Sequence, residues 1–93
     1  MIKIDTHGLK ILDASLELCN KIEDAYYLGH EFVKVVHGFN NGTVIQKYIR
    51  SGEINSKLRI FDSNVEVFVY DAQDPGVTIL KFGKKKWINN WNE

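Results

Sequence analysis

Ile4-Asp5-Thr6-His7-Gly8 closes a short apolar run that begins at Met1, and it has an echo further along the chain. His37-Gly38-Phe39-Asn40-Asn41-Gly42 closes a second run, Phe32 to Val36. Each cluster opens onto a segment with helical periodicity. If the segment between the runs is a helix, the runs are parallel strands of a βαβ unit, because parallel strands need such a crossover. Both polar clusters then fall at the carboxyl ends of strands, the edge at which open α/β sheets bind ligands. Asp5 and His7 stand two apart, so on a strand or its extension their side chains share a face. His37 approaches from the neighbouring strand, and one candidate site is assembled from two distant pieces of sequence.

Working outward, Ile2 and Ile4 alternate with Lys3 and Asp5 as a short strand with one buried face. From about Lys10 to Leu28 the apolar residues Ile11, Ala14, Leu18, Ile22 and Ala25 recur at spacings of three and four, which predicts a helix. Ser15, Cys19 and Tyr26 widen that stripe, and Gly29 is placed to stop the helix in a left-handed conformation. Phe32 to Val36 is a β-branched run with little alternation, read as a central strand covered on both faces. A second helix is expected over about Thr43 to Arg50, with Val44, Ile45, Tyr48 and Ile49 inward and Gly52 ending it.

Residues 53–61 leave helix and strand undecided, although Ile54, Leu58, Ile60 and Phe61 ask for burial. Val65 to Tyr70 alternates as a strand. Asp74-Pro75-Gly76 is turn chemistry, and Val77 to Phe82 returns as its hairpin partner. The order is βαβαββ: a two-layer α/β sandwich with a mixed four-stranded sheet and two main helices.

The chain has 93 residues, one domain's worth, and its 44% hydrophobic content is enough for a core. Twelve Lys+Arg cancel twelve Asp+Glu, so a basic surface must come from local segregation rather than net charge. Cys19 is the single cysteine, which excludes an internal disulfide and fits a reducing compartment. It reads as a core thiol with no cation to activate it. No apolar stretch is long enough for a membrane span and no signal peptide is evident, so a soluble, cytoplasmic, monomeric protein is expected. His30 precedes the second strand at its amino end and reads as a surface histidine away from the site. Residues 1–83 form the domain. Residues 84–93 form a tail with Lys84-Lys85-Lys86, Trp87 and Trp91. Lysines on phosphate and indoles on bases is one reading of it. Docking of both tryptophans on the domain is the favoured one.

Asp5-Thr6-His7-Gly8, the helix with Ala14 and Ala25, Val36-His37-Gly38 and Gly76-Val77-Thr78-Ile79 together resemble the small MutS-related (Smr) domain. Its usual signatures are Leu-Asp-Leu-His-Gly and His-Gly-X-Gly-X-Gly, and the resemblance covers about residues 2–82. It implies a fold like the C-terminal domain of translation initiation factor three. It also implies endonuclease activity, either DNA nicking or cleavage of messenger RNA on stalled ribosomes. By position, Asp5 and His7 match the first motif, and His37, Gly38 and Gly42 the second. Phe39 stands where the family often has lysine, and Asn40 where it has glycine.

Phosphodiester cleavage needs a base, an acid and donors for the charge on phosphorus. Asp5, His7 and His37 are the candidate catalytic residues. His7 and His37 divide the acid and base roles, with Asp5 either orienting His7 or favouring its protonated form. Gly8, Gly38, Phe39, Asn40, Asn41, Gly42 and Thr43 are the candidate phosphate and nucleic-acid contacts, Gly42 and Thr43 through backbone N–H groups at a helix start. RNA is favoured over DNA, because its 2′-OH can serve as nucleophile with no cofactor. On DNA a divalent metal with Asp5, His7 and His37 as ligands is the alternative. The competing reading is a non-catalytic module that binds nucleic acid or the ribosome, favoured by Phe39 and Asn40. A structural zinc site is disfavoured by the lack of a Cys/His cluster.

Overall fold

The apolar stripe at spacings of three and four becomes α1 (Ile11–Tyr27), and its inward residues Ala14, Ser15, Leu18, Cys19, Ile22 and Ala25 are all buried. Its end is a Schellman motif. Gly29 adopts a φ of 88°, and the N–H groups of Gly29 and His30 donate to the carbonyls of Tyr26 (3.1 Å) and Ala25 (3.0 Å). That reversal feeds the chain directly into β2 (Phe32–Val36), which lies parallel to β1 (Ile2–Asp5). The computed structural model describes residues 1–39, 43–61 and 63–83. The expectation that Trp87 and Trp91 dock on the domain falls outside the described residues, as do the positions of Asn40, Asn41 and Gly42.

The remaining elements are α2 (Thr43–Arg50), α3 (Glu53–Ile60), β3 (Val67–Asp71) and β4 (Val77–Phe82). The sheet order is β1-β2-β4-β3, with β4 antiparallel to both of its neighbours. The expected two-layer, mixed four-stranded architecture is therefore the observed one. The order is βαβααββ, because the undecided stretch after Gly52 folds as a third helix. Gly52, at a φ of 87°, makes the corner between α2 and α3. α3 is tied to the sheet by one side chain: the Asn55 amide donates to the Val67 carbonyl (2.9 Å) and accepts from the Val67 N–H (3.0 Å). It thereby copies the hydrogen bonding of a strand neighbour.

Three expectations about burial are corrected. β2 is covered on one face only: Val33 and Val35 are buried and Lys34 is exposed. With all helices on one side, a two-layer fold leaves the other side of even a central strand open to water. Val44 points outward from α2, leaving Ile45 and Ile49 as its buried residues. Ile60 and Phe61 are exposed, since the short α3 spends its inward positions on Ile54 and Leu58. The core joins Ile4, Val33, Val35, Val67 and Leu80 of the sheet to Leu18, Ile22, Ile45, Ile49, Ile54 and Leu58 of the helices.

Cys19 sits in that core, where burial pushes its thiol up to about 11. A cation is in fact near, contrary to the expectation: Lys57 on α3 pulls the other way, with a smaller effect than burial. Ser15 and Tyr48 share a 2.9 Å hydrogen bond between α1 and α2. Burial raises the Tyr48 phenol, and the Ser15 bond opposes that rise. Among the described residues no helix is long and apolar enough to cross a membrane.

Candidate functional site

β1 stops at Asp5 because the chain turns there. The Asp5 carboxylate accepts the backbone N–H of His7 (2.9 Å), and the Leu9 N–H donates to the Thr6 carbonyl (3.0 Å). A turn closed in this way with positive φ at its third residue needs glycine, and Gly8 supplies a φ of 85°. The spacing Asp-X-His-Gly thus has a local cause. Thr6 is buried and anchored, its N–H donating to the Val36 carbonyl (2.9 Å). His7 is left at the exposed corner. Asp5 therefore orients His7 through the backbone, not through the ring.

The second cluster meets the first at the same edge. Gly38, at a φ of 83°, lies against the His7 ring: a Cβ at Gly38 would sit 3.1 Å from His7 Cδ2. The β3–β4 turn closes the edge from the other side, with the Gly76 carbonyl accepting from the N–H groups of His37 (3.1 Å) and Gly38 (3.0 Å). α2 clamps that turn with two side chains one helical turn apart. Gln46 donates to the Pro75 carbonyl (2.8 Å), and Arg50 Nη2 donates to the carbonyls of Asp74 (2.9 Å) and Val77 (3.2 Å).

His37 differs from His7 in kind. It is only 1% exposed. Its Nδ1 lies 2.9 Å from the Gly38 carbonyl and its Nε2 lies 2.9 Å from Thr78 Oγ1. A carbonyl only accepts, so Nδ1 carries the proton. Arg50 Nε donates to Thr78 Oγ1 (3.0 Å), which leaves the threonine hydroxyl to donate to Nε2. The chain Arg50 to Thr78 to His37 to Gly38 is closed at both ends, with no ring nitrogen of His37 left over for a substrate. Geometry brings Asp5, His7 and His37 to one edge as expected, but in two layers: an exposed His7 and, beneath Gly38, a buried His37.

Of the expected phosphate contacts, Gly8 and Gly38 line the edge, Phe39 is 58% exposed beside it, and Thr43 begins α2. A shallow cleft of about 440 Å³ adjoins the turn, lined by Gly8, Leu9, Lys10, Ile11, Val44 and Ile45. It adds Lys10, a cation three residues after His7 that the sequence reading passed over. Arg50 and Thr78 were also passed over. The signals were present: Gln46 and Arg50 stand four apart on a helix, and Thr78 is a hydroxyl at an inward position of an apolar strand. Among the described residues no three His, Cys, Asp or Glu side chains gather into a set that could hold a metal ion. His30 is partly buried at the amino end of β2, the opposite edge.

No protein-family model and no curated protein matches the sequence. Among solved structures, the chain matches the crystal structure of the Smr domain of Thermus thermophilus MutS2 with a TM-score of 0.59 and 22% identity. The match covers 90% of this chain and 100% of that one. The chain therefore has the Smr-domain fold, in agreement with the resemblance read from its motifs.

Proposed function

We propose that this domain is a nucleic-acid endonuclease that cleaves single-stranded or looped RNA in preference to DNA. The observation that carries the proposal is the Asp5-held turn, which presents an exposed His7 against Gly38 at the carboxyl edge of the sheet. In the proposed step His7 takes the 2′-OH proton and the 2′ oxygen attacks phosphorus. The bond to the 5′ oxygen breaks and water returns a proton to that oxygen, leaving a 2′,3′-cyclic phosphate and a 5′-OH. Lys10 and the Thr43 N–H are the proposed partners of the phosphate oxygens. His37 has a positioning role: with Thr78 and Arg50 it holds Gly38, and so the floor beneath His7. The step as proposed needs no cofactor.

A specific observation supports a second reading. Phe39 presents an exposed ring where a cation would strengthen phosphate binding, and His37 has no free nitrogen. A non-catalytic module that binds nucleic acid, with Phe39 stacking on a base, fits those two facts. End-labelled single-stranded RNA and supercoiled DNA, each incubated with the protein with and without a chelator, separate the readings. The nuclease reading expects RNA fragments ending in cyclic phosphate that persist with chelator. Binding without cleavage of either substrate leaves the module.

A further inference from the structure

The side of the sheet away from the helices carries three rows of paired residues. Asp5, Val36 and Val77 form the row at the site edge, Lys3, Lys34, Ile79 and Asp71 the middle row, and Phe32, Lys81 and Phe68 the far row. Tyr70, at the irregularity in β3, reaches over to Phe32, with ring centroids 4.8 Å apart. Lys81, on β4 between the two strands, lies 5.8 Å from the Phe32 centroid. Phe68 and Tyr70 are 54% and 63% exposed.

Two features of this face break ordinary rules. Lys3 and Lys34 are register partners on adjacent strands, and like charges so placed cost stability. Neither has a carboxylate in salt-bridge range, since Lys21–Glu17 is the one such pair among the described residues. The aromatic rings, meanwhile, stay in water beside them. A protein partner fits poorly, because the cores of protein interfaces are depleted in lysine. An unpaired polynucleotide fits both features, with π faces for bases and ammonium groups for phosphates. Two carboxylates share the face: Asp5 in the row at the site edge, and Asp71 on the outer strand β3 as the register partner of Ile79.

We propose that this open sheet face is a binding track for single-stranded RNA, running from Phe68, Tyr70 and Phe32 over Lys34 and Lys3 to the Asp5–His7 turn. The four-residue rise from Phe32 to Val36 spans about 13 Å, room for the two or three bases that sheet platforms stack. The track rests on the proposed nuclease reading for its direction, but not for its existence. Gly83 closes its far end: a Cβ there would collide with the Phe68 ring.

The test is the affinity of the full chain for a fluorescein-labelled ten-nucleotide oligouridylate, read by anisotropy at low salt. Phe68→Ala and Tyr70→Ala should each weaken binding about tenfold, and Lys34→Gln should weaken it and lower the salt dependence by about one phosphate contact. Lys21→Gln, on α1, should change nothing, and circular dichroism should show every variant folded. Absence of wild-type binding, or equal binding by Phe68→Ala, Tyr70→Ala and Lys34→Gln, would overturn the track even if the protein cuts RNA. Loss of binding in those variants, with no cleavage by any protein, would keep the track and end the nuclease reading. Phe68 and Tyr70 resonances that shift in Trp87→Ala without RNA would assign the face to the chain's own tail and overturn the proposal.

Discussion

At the scale of single residues, two histidines of similar sequence context have been given opposite environments. His7 stands at the corner of a turn that needs Asp5 before it and Gly8 after it, whereas His37 is enclosed by Thr78 and the Gly38 carbonyl. Thr78 is the joint of the buried chain, so Thr78→Val should strand both His37 Nε2 and Arg50 Nε. An unsatisfied buried group costs about 1–3 kcal/mol, and chemical denaturation should show a loss of that size, while Thr78→Ser stays near wild type. Equal stability of Thr78→Val would mean that the network contributes nothing. Cys19 gives a second residue-scale expectation. Its ordinary value is 9.0 and burial raises it to about 11 in the folded state, so the folded protein holds this proton more tightly than the unfolded chain. The contribution to stability is full below pH 9 and is lost as pH rises through about 11. A Cys19→Ala variant should show a shallower fall in stability over that window. Its parent should react with a thiol reagent at neutral pH only as fast as it opens.

At the scale of elements, the legible parts were those in which one local rule acted alone. The α1 stripe, its Gly29 stop and the two strand-end clusters each follow from spacing and turn chemistry within a few residues, and each is where the sequence placed it. The β3–β4 hairpin forms as expected, but β3 runs Val67–Asp71 instead of from Val65 and loses its alternation at the shift between Val69 and Asp71. The misreadings lie where the answer depended on partners far along the chain. Phe32 to Val36 lacks alternation because half-buried Phe32 and Val36 lie on the open face, on either side of the exposed Lys34. Residues 53–61 resisted a period because α3 is only eight residues long and exposes Ile60. Its position is set by Asn55, a polar side chain bonded to a strand that comes twelve residues later. Removing that tie in Asn55→Ala should cost about 1–3 kcal/mol. Hydrogen exchange should rise at the Val67 amide, which loses its acceptor. Unchanged protection there would place the anchor of α3 in Ile54 and Leu58 alone. The site was legible in membership and not in roles, since neither the burial of His37 nor its link to Arg50 can be read from spacing.

At the scale of the whole molecule, three helices on one side of the sheet leave the other side open, and the parallel β1–β2 pair brings both clusters to one edge of it. Helix layer, sheet edge and open face then divide the work: α2 clamps the β3–β4 turn, the edge carries His7, and the face runs up to it. Overall charge is zero, so the proposed RNA substrate would have to be held by local cations, and cleavage at subsaturating RNA should fall steeply between 50 and about 200 mM salt. Salt-independent rates would contradict a lysine-held substrate. In the proposed step His7 is the group that moves the proton. Single-turnover cleavage of a labelled single-stranded RNA at low salt, compared for wild type, His7→Ala and His7→Gln, measures that role. His7 is exposed at a turn corner, so both variants should fold and melt like the wild type. The account predicts that they cut at least about 100-fold more slowly, and equal rates for the three proteins would contradict it.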